Sequence, residues 1–202
     1  MTLRTRFAAL AALAAALTAC VSAPSTAPDA APAGEYLLDP AHASLVWRVP
    51  HGAGLSRYTA RFDRFTASLD FDPAAPEDAR LDVAIEAASV STGDPDFDAQ
   101  VARVVFDAEA HPEIRFRSSS VEVTGANAAR VTGDLSFHGV TAPATLEVVY
   151  NGGANDPLRG GEVIGFSARG AIDRTAFGTD AYVSFGVGAM VEIEIEAELL
   201  KQ

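Results

Sequence analysis

The sequence predicts an all-β fold: a closed antiparallel barrel of about eight strands, whose interior is just wide enough for packed side chains or one slender ligand, with one short helix. Three observations carry that expectation. Beyond Tyr36, apolar and polar residues alternate at period two in run after run, the mark of half-buried strands. Residues tolerant of tight-turn torsions separate the runs. Trp47, Phe62, Phe116, Phe137 and Phe166 fall on the apolar parity of different strands, so they converge on one interior and favour a barrel over a sandwich.

Taken in order, the first clear strand is Leu45-Val46-Trp47-Arg48-Val49, with Trp47 inward and Arg48 outward. Leu81-Asp82-Val83-Ala84-Ile85-Glu86 repeats the parity and turns Ile85 inward. Asp94 to Val105 breaks it: Phe97, Val101 and either Val104 or Val105 recur at helical spacing behind acids suited to a helix N-terminus, predicting a short helix that caps one end of the sheet. Strands resume at Ile114-Arg115-Phe116-Arg117 and at Leu146-Glu147-Val148, with Arg115 and Arg117 outside and Val148 inside. The last run, Val191 to Leu199, has an acid at every second position and presents Ile193 to the interior. Asp72-Pro73, Thr124-Gly125, Asn151-Gly152-Gly153 and Arg159-Gly160-Gly161 are the expected turns. The two glycine pairs lack the lysine and following helix of a phosphate cradle and read as hairpin tips. If the barrel holds a ligand, its expected wall is Trp47, Phe62, Ile85, Phe116, Phe137, Val148, Phe166 and Ile193.

Ahead of the strands, Arg4 and Arg6 precede an apolar stretch from Phe7 to Leu17, too short to span a bilayer, and small residues lead into Cys20. Residues 1–19 therefore read as an export signal. Leu17-Thr18-Ala19-Cys20 resembles the lipobox of bacterial lipoproteins, which implies that Cys20 is acylated and becomes the first residue of the mature chain. An ordinary cleaved signal with an incidental Cys20, or an uncleaved anchor, are the alternatives. Residues 20–34 are rich in alanine, proline, serine and threonine, with Asp29 the only charge, and read as a disordered tether. Residues 35–202 form one domain.

The formal net charge of −12 becomes more negative once Arg4 and Arg6 are removed, which excludes nucleic acid as a partner. A single cysteine excludes an internal disulfide framework. His42, His51, His111 and His138 lie far apart in sequence, without metal-site spacing, and His138 is expected to fix a tight turn by hydrogen bonding. Asp94-Pro95-Asp96-Phe97-Asp98 starts like a calcium loop, then fails at Ala99 and Val105. No metal, cofactor or catalytic residue is expected, and no Gly-x-Ser-x-Gly elbow occurs. Arg61 and Arg174 are either salt-bridged or turned to the cavity mouth, where they would meet an anionic headgroup.

Several segments in order resemble the YceI-like family, also called the lipid- or polyisoprenoid-binding exported bacterial proteins. They are Tyr36 to Ser44, Arg61-Phe62-Asp63-Arg64-Phe65, Ser89 to Gly93, Phe106-Asp107-Ala108, Val131 to Pro143 and Ile172-Asp173-Arg174-Thr175-Ala176-Phe177-Gly178. The resemblance implies a lipocalin-like barrel whose elongated apolar cavity holds a long isoprenoid such as a quinone or polyprenyl phosphate. Two positions depart from it: Asp98 to Ala102 replaces a His-Leu-Arg or His-Leu-Lys triplet, and Ala60 stands where glycine is usual. The expectation is a non-enzymatic carrier or sequestering protein in the periplasm, held to a membrane through Cys20. Val21 favours the outer membrane, and a homodimer is left open. The alternative is a structural or stress-response lipoprotein that acts through a protein partner. Small inward residues midway along the barrel favour the first reading, large ones the second.

Overall fold

Alternation becomes ten strands in the computed structural model, which describes residues 23–27 and 29–202. They are β1 (Gly34–His51), β2 (Ser56–Phe62), β3 (Phe65–Phe71), β4 (Arg80–Glu86), β5 (Val90–Ser91), β6 (Glu113–Val123), β7 (Ala128–Phe137), β8 (Val140–Asp156), β9 (Gly161–Asp173) and β10 (Met190–Lys201). All pairings are antiparallel. The order β10-β9-β8-β7-β6-β4-β3-β1 closes on itself where β1 pairs with β10, making a barrel of eight staves.

The remaining two strands extend two staves past a bend. A bulge between Leu38 and Ala43 divides β1, whose lower part pairs with β3 and whose upper part pairs with β2. Only Asp63 and Arg64 separate β2 from β3, and a single turn, Ala87–Ser89, separates β4 from β5. Buried Ser89 satisfies the bend: its hydroxyl accepts from Arg64 N at 3.1 Å and donates to Glu86 O at 2.7 Å.

The predicted helix is α1 (Pro95–Val104), capped by Asp94, whose carboxylate accepts from Asp96 N at 3.0 Å. Val101 is buried and Val105 packs on the core, while Val104 faces out. Asp98 takes the Thr92 hydroxyl at 2.6 Å, so these acids secure a helix start. Among the described residues, no group of three His, Cys, Asp or Glu is placed to hold a metal ion.

Helix α1, the β1–β2 turn and the segment 174–189 gather at one end, here the upper; the start of β1, the C-terminus and the β8–β9 hairpin lie at the lower. Outward residues pair as the parity predicts: Arg48 with Glu194 at 2.5 Å, and Arg115 with both oxygens of Asp82 at 3.0 and 2.8 Å. Arg117 shares Asp82, and Arg57 pairs with Glu192.

Two expectations give way. Asn151-Gly152-Gly153 is no hairpin tip: it is a bulge inside β8, and the turn falls at residues 157–160. Nor is the segment before β1 a free spacer over its described part. Ser25 forms a bridge with Gly153, its N–H donating at 3.0 Å and its carbonyl accepting at 2.8 Å. Ala31 is buried, and the Tyr36 hydroxyl donates to Pro32 O at 2.5 Å. Both corrections have one cause. A Cβ on Gly152 would stand 2.8 Å from Ser25 O, and one on Gly153 2.8 Å from Ala30 O, so the glycines admit a strap rather than a turn. Residues 1–22, including the export signal and Cys20, lie outside the described residues.

Candidate functional site

The barrel is not filled. Its inward residues form two hydrophobic clusters, an upper one around Trp47, Phe62, Phe116 and Phe137 and a lower one around Tyr36, Phe71, Ile164 and Leu199. Each borders a cavity. The upper chamber measures about 420 Å³ and the lower about 280 Å³, together within the roughly 300–1,000 Å³ of small-molecule sites. Apolar side chains dominate both walls.

Two inward positions midway along the staves are glycine. Gly133 on β7 and Gly170 on β9 face inward, between Val131 and Leu135 and between Ala168 and Ile172. A Cβ on Gly133 would come within 2.6 Å of Phe116 Cζ, and one on Gly170 within 2.8 Å of Leu146 Cδ2. Both large side chains therefore lie back against the wall.

Aromatic contacts follow the same division. Above, Trp47 lies 6.1 Å from Phe106 and 6.4 Å from Tyr58, and Phe106 lies 5.1 Å from Phe62. Below, Phe71, Tyr150 and Phe166 form a trio at 5.2–5.5 Å. Each group holds one buried polar atom without a hydrogen-bond partner among the described residues, the Trp47 indole nitrogen and the Tyr150 hydroxyl. Burial pushes the Tyr150 hydroxyl up, and pushes that of neighbouring Tyr36 up to about 12.

Polar groups collect at the upper mouth. Gln100 on α1 donates to the Tyr182 hydroxyl at 2.6 Å, and both line the chamber beside His51. Arg174 is only 4 % exposed, yet no carboxylate among the described residues lies within salt-bridge distance. Its guanidinium donates to Gly188 O at 3.0 Å and Ala181 O at 2.7 Å, pinning the segment that forms one lip. Burial pulls this guanidinium down from its ordinary value, an effect Asp180 and Asp173 oppose. Arg61 instead pairs with Asp63 at 2.7 Å on the exterior. Phe185 and Leu55 project from the lip, 81 % and 92 % exposed.

The lower end is tied by charge. Arg159 contacts Asp156 at 2.8 Å, Asp39 at 3.2 Å and Glu198 at 2.5 Å, joining the β8–β9 hairpin to the β1 bulge and β10. Burial pushes the Asp39 carboxyl up, but hydrogen bonds from His42, Ala41 N and Arg159 outweigh it and hold the group below the usual carboxylate range. The Arg159 hydrogen bond does the same for Asp156, against burial.

Comparison with known proteins matches residues 36–199 to the YceI-like domain. The chain belongs to the YceI-like family. A UPF0312 protein of Pseudomonas putida is 35% identical over 176 residues, covering 84% of this chain and 88% of its own. The Burkholderia cenocepacia BcnA structure superimposes with a TM-score of 0.69 at 27% identity, over 80% of this chain and 98% of that one. The Campylobacter jejuni YCEI protein gives 0.66 at 29% identity, over 73% and 87%. A polyisoprenoid binding domain from Saccharophagus degradans shares the fold, with a TM-score of 0.60 at 14% identity, over 85% and 100%.

In this YceI-like barrel, Trp47, Phe62, Ile85, Phe116, Phe137 and Ile193 line the upper chamber, and Val148 and Phe166 line the lower. The five aromatic residues thus share one barrel but not one cluster. Ala60, which departs from the family pattern, is buried opposite Trp47 in the β1–β2 pairing. His138 does occupy a tight turn, with φ 51°, but the ring packs on His111 at 5.4 Å and makes no hydrogen bond among the described residues. Sequence reasoning missed the mouth residues Tyr58, Phe97, Gln100, Tyr182 and Phe185, because they sit on the helix, a strand end and an irregular segment that strand parity does not address. It also missed the lower wall made by Thr26, Phe71 and Tyr150.

Proposed function

We propose that this chain binds, and carries or sequesters, a long-chain isoprenoid lipid such as a quinone or polyprenyl phosphate, without chemical conversion. The observation that carries the proposal is the upper chamber. It measures about 420 Å³, is lined almost wholly by apolar side chains and opens at the upper mouth. An apolar occupant gains roughly 25 cal/mol per Å² of its own surface taken from water. Inward Gly133 and Gly170 let Phe116 and Leu146 lie close against the wall. Family membership supports an elongated lipid as the occupant.

The proposal places the protein in the periplasm, tethered through acylated Cys20, with Val21 directing it to the outer membrane. Ser25 is held at the lower end, and five residues reach at most about 18 Å. The anchor would therefore hold the lower end near the bilayer and present the mouth to the periplasm.

Native mass spectrometry with lipid extraction tests the assignment, using the exported chain carrying Cys20→Ser. A stoichiometric isoprenoid adduct is expected, lost in Phe116→Arg or Phe137→Arg variants that keep the wild-type circular dichroism. A mass that stays ligand-free after incubation with quinones and polyprenyl phosphates would overturn the proposal in favour of a lipoprotein that acts through a protein partner.

A further inference from the structure

The two chambers meet at four shared wall residues, and those residues come from separate parts of the barrel: Leu45 on β1, Val83 on β4, Leu146 on β8 and Ile195 on β10. Leu45 and Ile195 stand directly opposite each other across the β1–β10 pairing. The four branched side chains mark the junction, here termed the waist. Gly170 sets the opening, because a Cβ there would stand 2.8 Å from Leu146 Cδ2.

Above the junction the chamber is the larger of the two, about 420 against 280 Å³, and opens at a mouth that carries Gln100, Tyr182 and His51. Below it the wall ends at Phe71, Tyr150 and Phe166. A broad group fits the upper chamber, and only a narrow flexible chain passes the waist without displacing branched side chains held on separate staves.

We infer that Leu45, Val83, Leu146 and Ile195 set the length of the cargo: its wide or polar end occupies the upper chamber, and its tail threads the waist to fill the lower one. Short isoprenoids are then held by the upper chamber alone, whereas long ones depend on passage between the two. This rests on the proposed lipid-binding reading and adds to it a length filter located at named residues.

Two polyprenols serve as probes, three-unit farnesol and nine-unit solanesol, in competition binding to the full chain in detergent. Wild type is expected to hold both, and solanesol more tightly. Filling the space just below the waist with Ala168→Phe, at a residue that pairs with Ile195 and lines only the lower chamber, should weaken solanesol at least about tenfold while changing farnesol by no more than about twofold, because only the long chain loses buried contact. Ile195→Ala, which widens the waist, should shift the preference toward solanesol and guards against misfolding of the larger substitution. If folded Ala168→Phe binds solanesol as wild type does, or if both variants change the two probes equally, the waist sets no length and the inference falls alone. If wild type holds neither probe, the lipid-binding reading fails first and the inference with it.

Discussion

The two ends of this barrel solve opposite problems with the same strands. At the lower end, Tyr36 and Ile164 are fully buried, a strap covers the glycines of β8, and Arg159 ties three acids from separate elements. At the upper end, inward Ile172, Val191 and Ile195 are only partly buried, because they face open space. The lip there hangs on main-chain hydrogen bonds such as Ala53 N to Gly186 O at 2.9 Å, and on Arg174. The lower end is thus tied by side-chain packing and charge, whereas the upper lip is held by main-chain hydrogen bonds and one buried guanidinium.

The comparison breaks most directly on stability. Ile164→Ala, in the packed lower cluster, is expected to cost about 2–5 kcal/mol, and Ile193→Ala, on the chamber wall, less than about half of that. Urea unfolding of both variants measures the gap, and equal losses would mean that the upper barrel packs as tightly as the lower.

A smaller effect separates the ends by pH. Asp39 and Asp156 have folded pKa values below those of the unfolded chain, so their contribution is present above about pH 4 and is lost as pH falls through the folded values. Arg159→Gln should lower Tm at pH 7, and its gap to wild type should shrink as the pH drops below about 4. A gap independent of pH would show that Arg159 acts through packing alone.

The smallest effect is expected at Trp47. Its indole N–H has no acceptor among the described residues, so Trp47→Phe loses ring area but also removes an unsatisfied buried donor, and the net cost should stay within about 1 kcal/mol. A larger loss, read from the same urea curves, would reveal a hydrogen-bond partner for the nitrogen beyond the described residues.

Much of the site was legible in sequence because a strand's facing is local. Val191 to Leu199 shows its wet and dry faces in nine letters, and all eight inward residues chosen by parity line one chamber or the other. The mouth was not legible. Tyr182 and Phe185 belong to a segment without period, and Arg174 acts through carbonyls that any residue carries. Gly152 and Gly153 misled for a related reason: glycine marks either a turn or a close approach, and the approaching residues, Ser25, Ala30 and Ala31, lie far away in sequence.

Strand alternation, the helix start at Asp94 and the family's ordered segments were determined by the amino-acid sequence alone, since each depends on neighbours a few positions apart. The volume inside the barrel was decided only by tertiary structure. It depends on pairs such as Gly133 with Phe116 and Gly170 with Leu146, residues of adjacent staves whose distance is set when the sheet closes. Parity tells which way a side chain points, and closure tells how far it is from the side chain opposite.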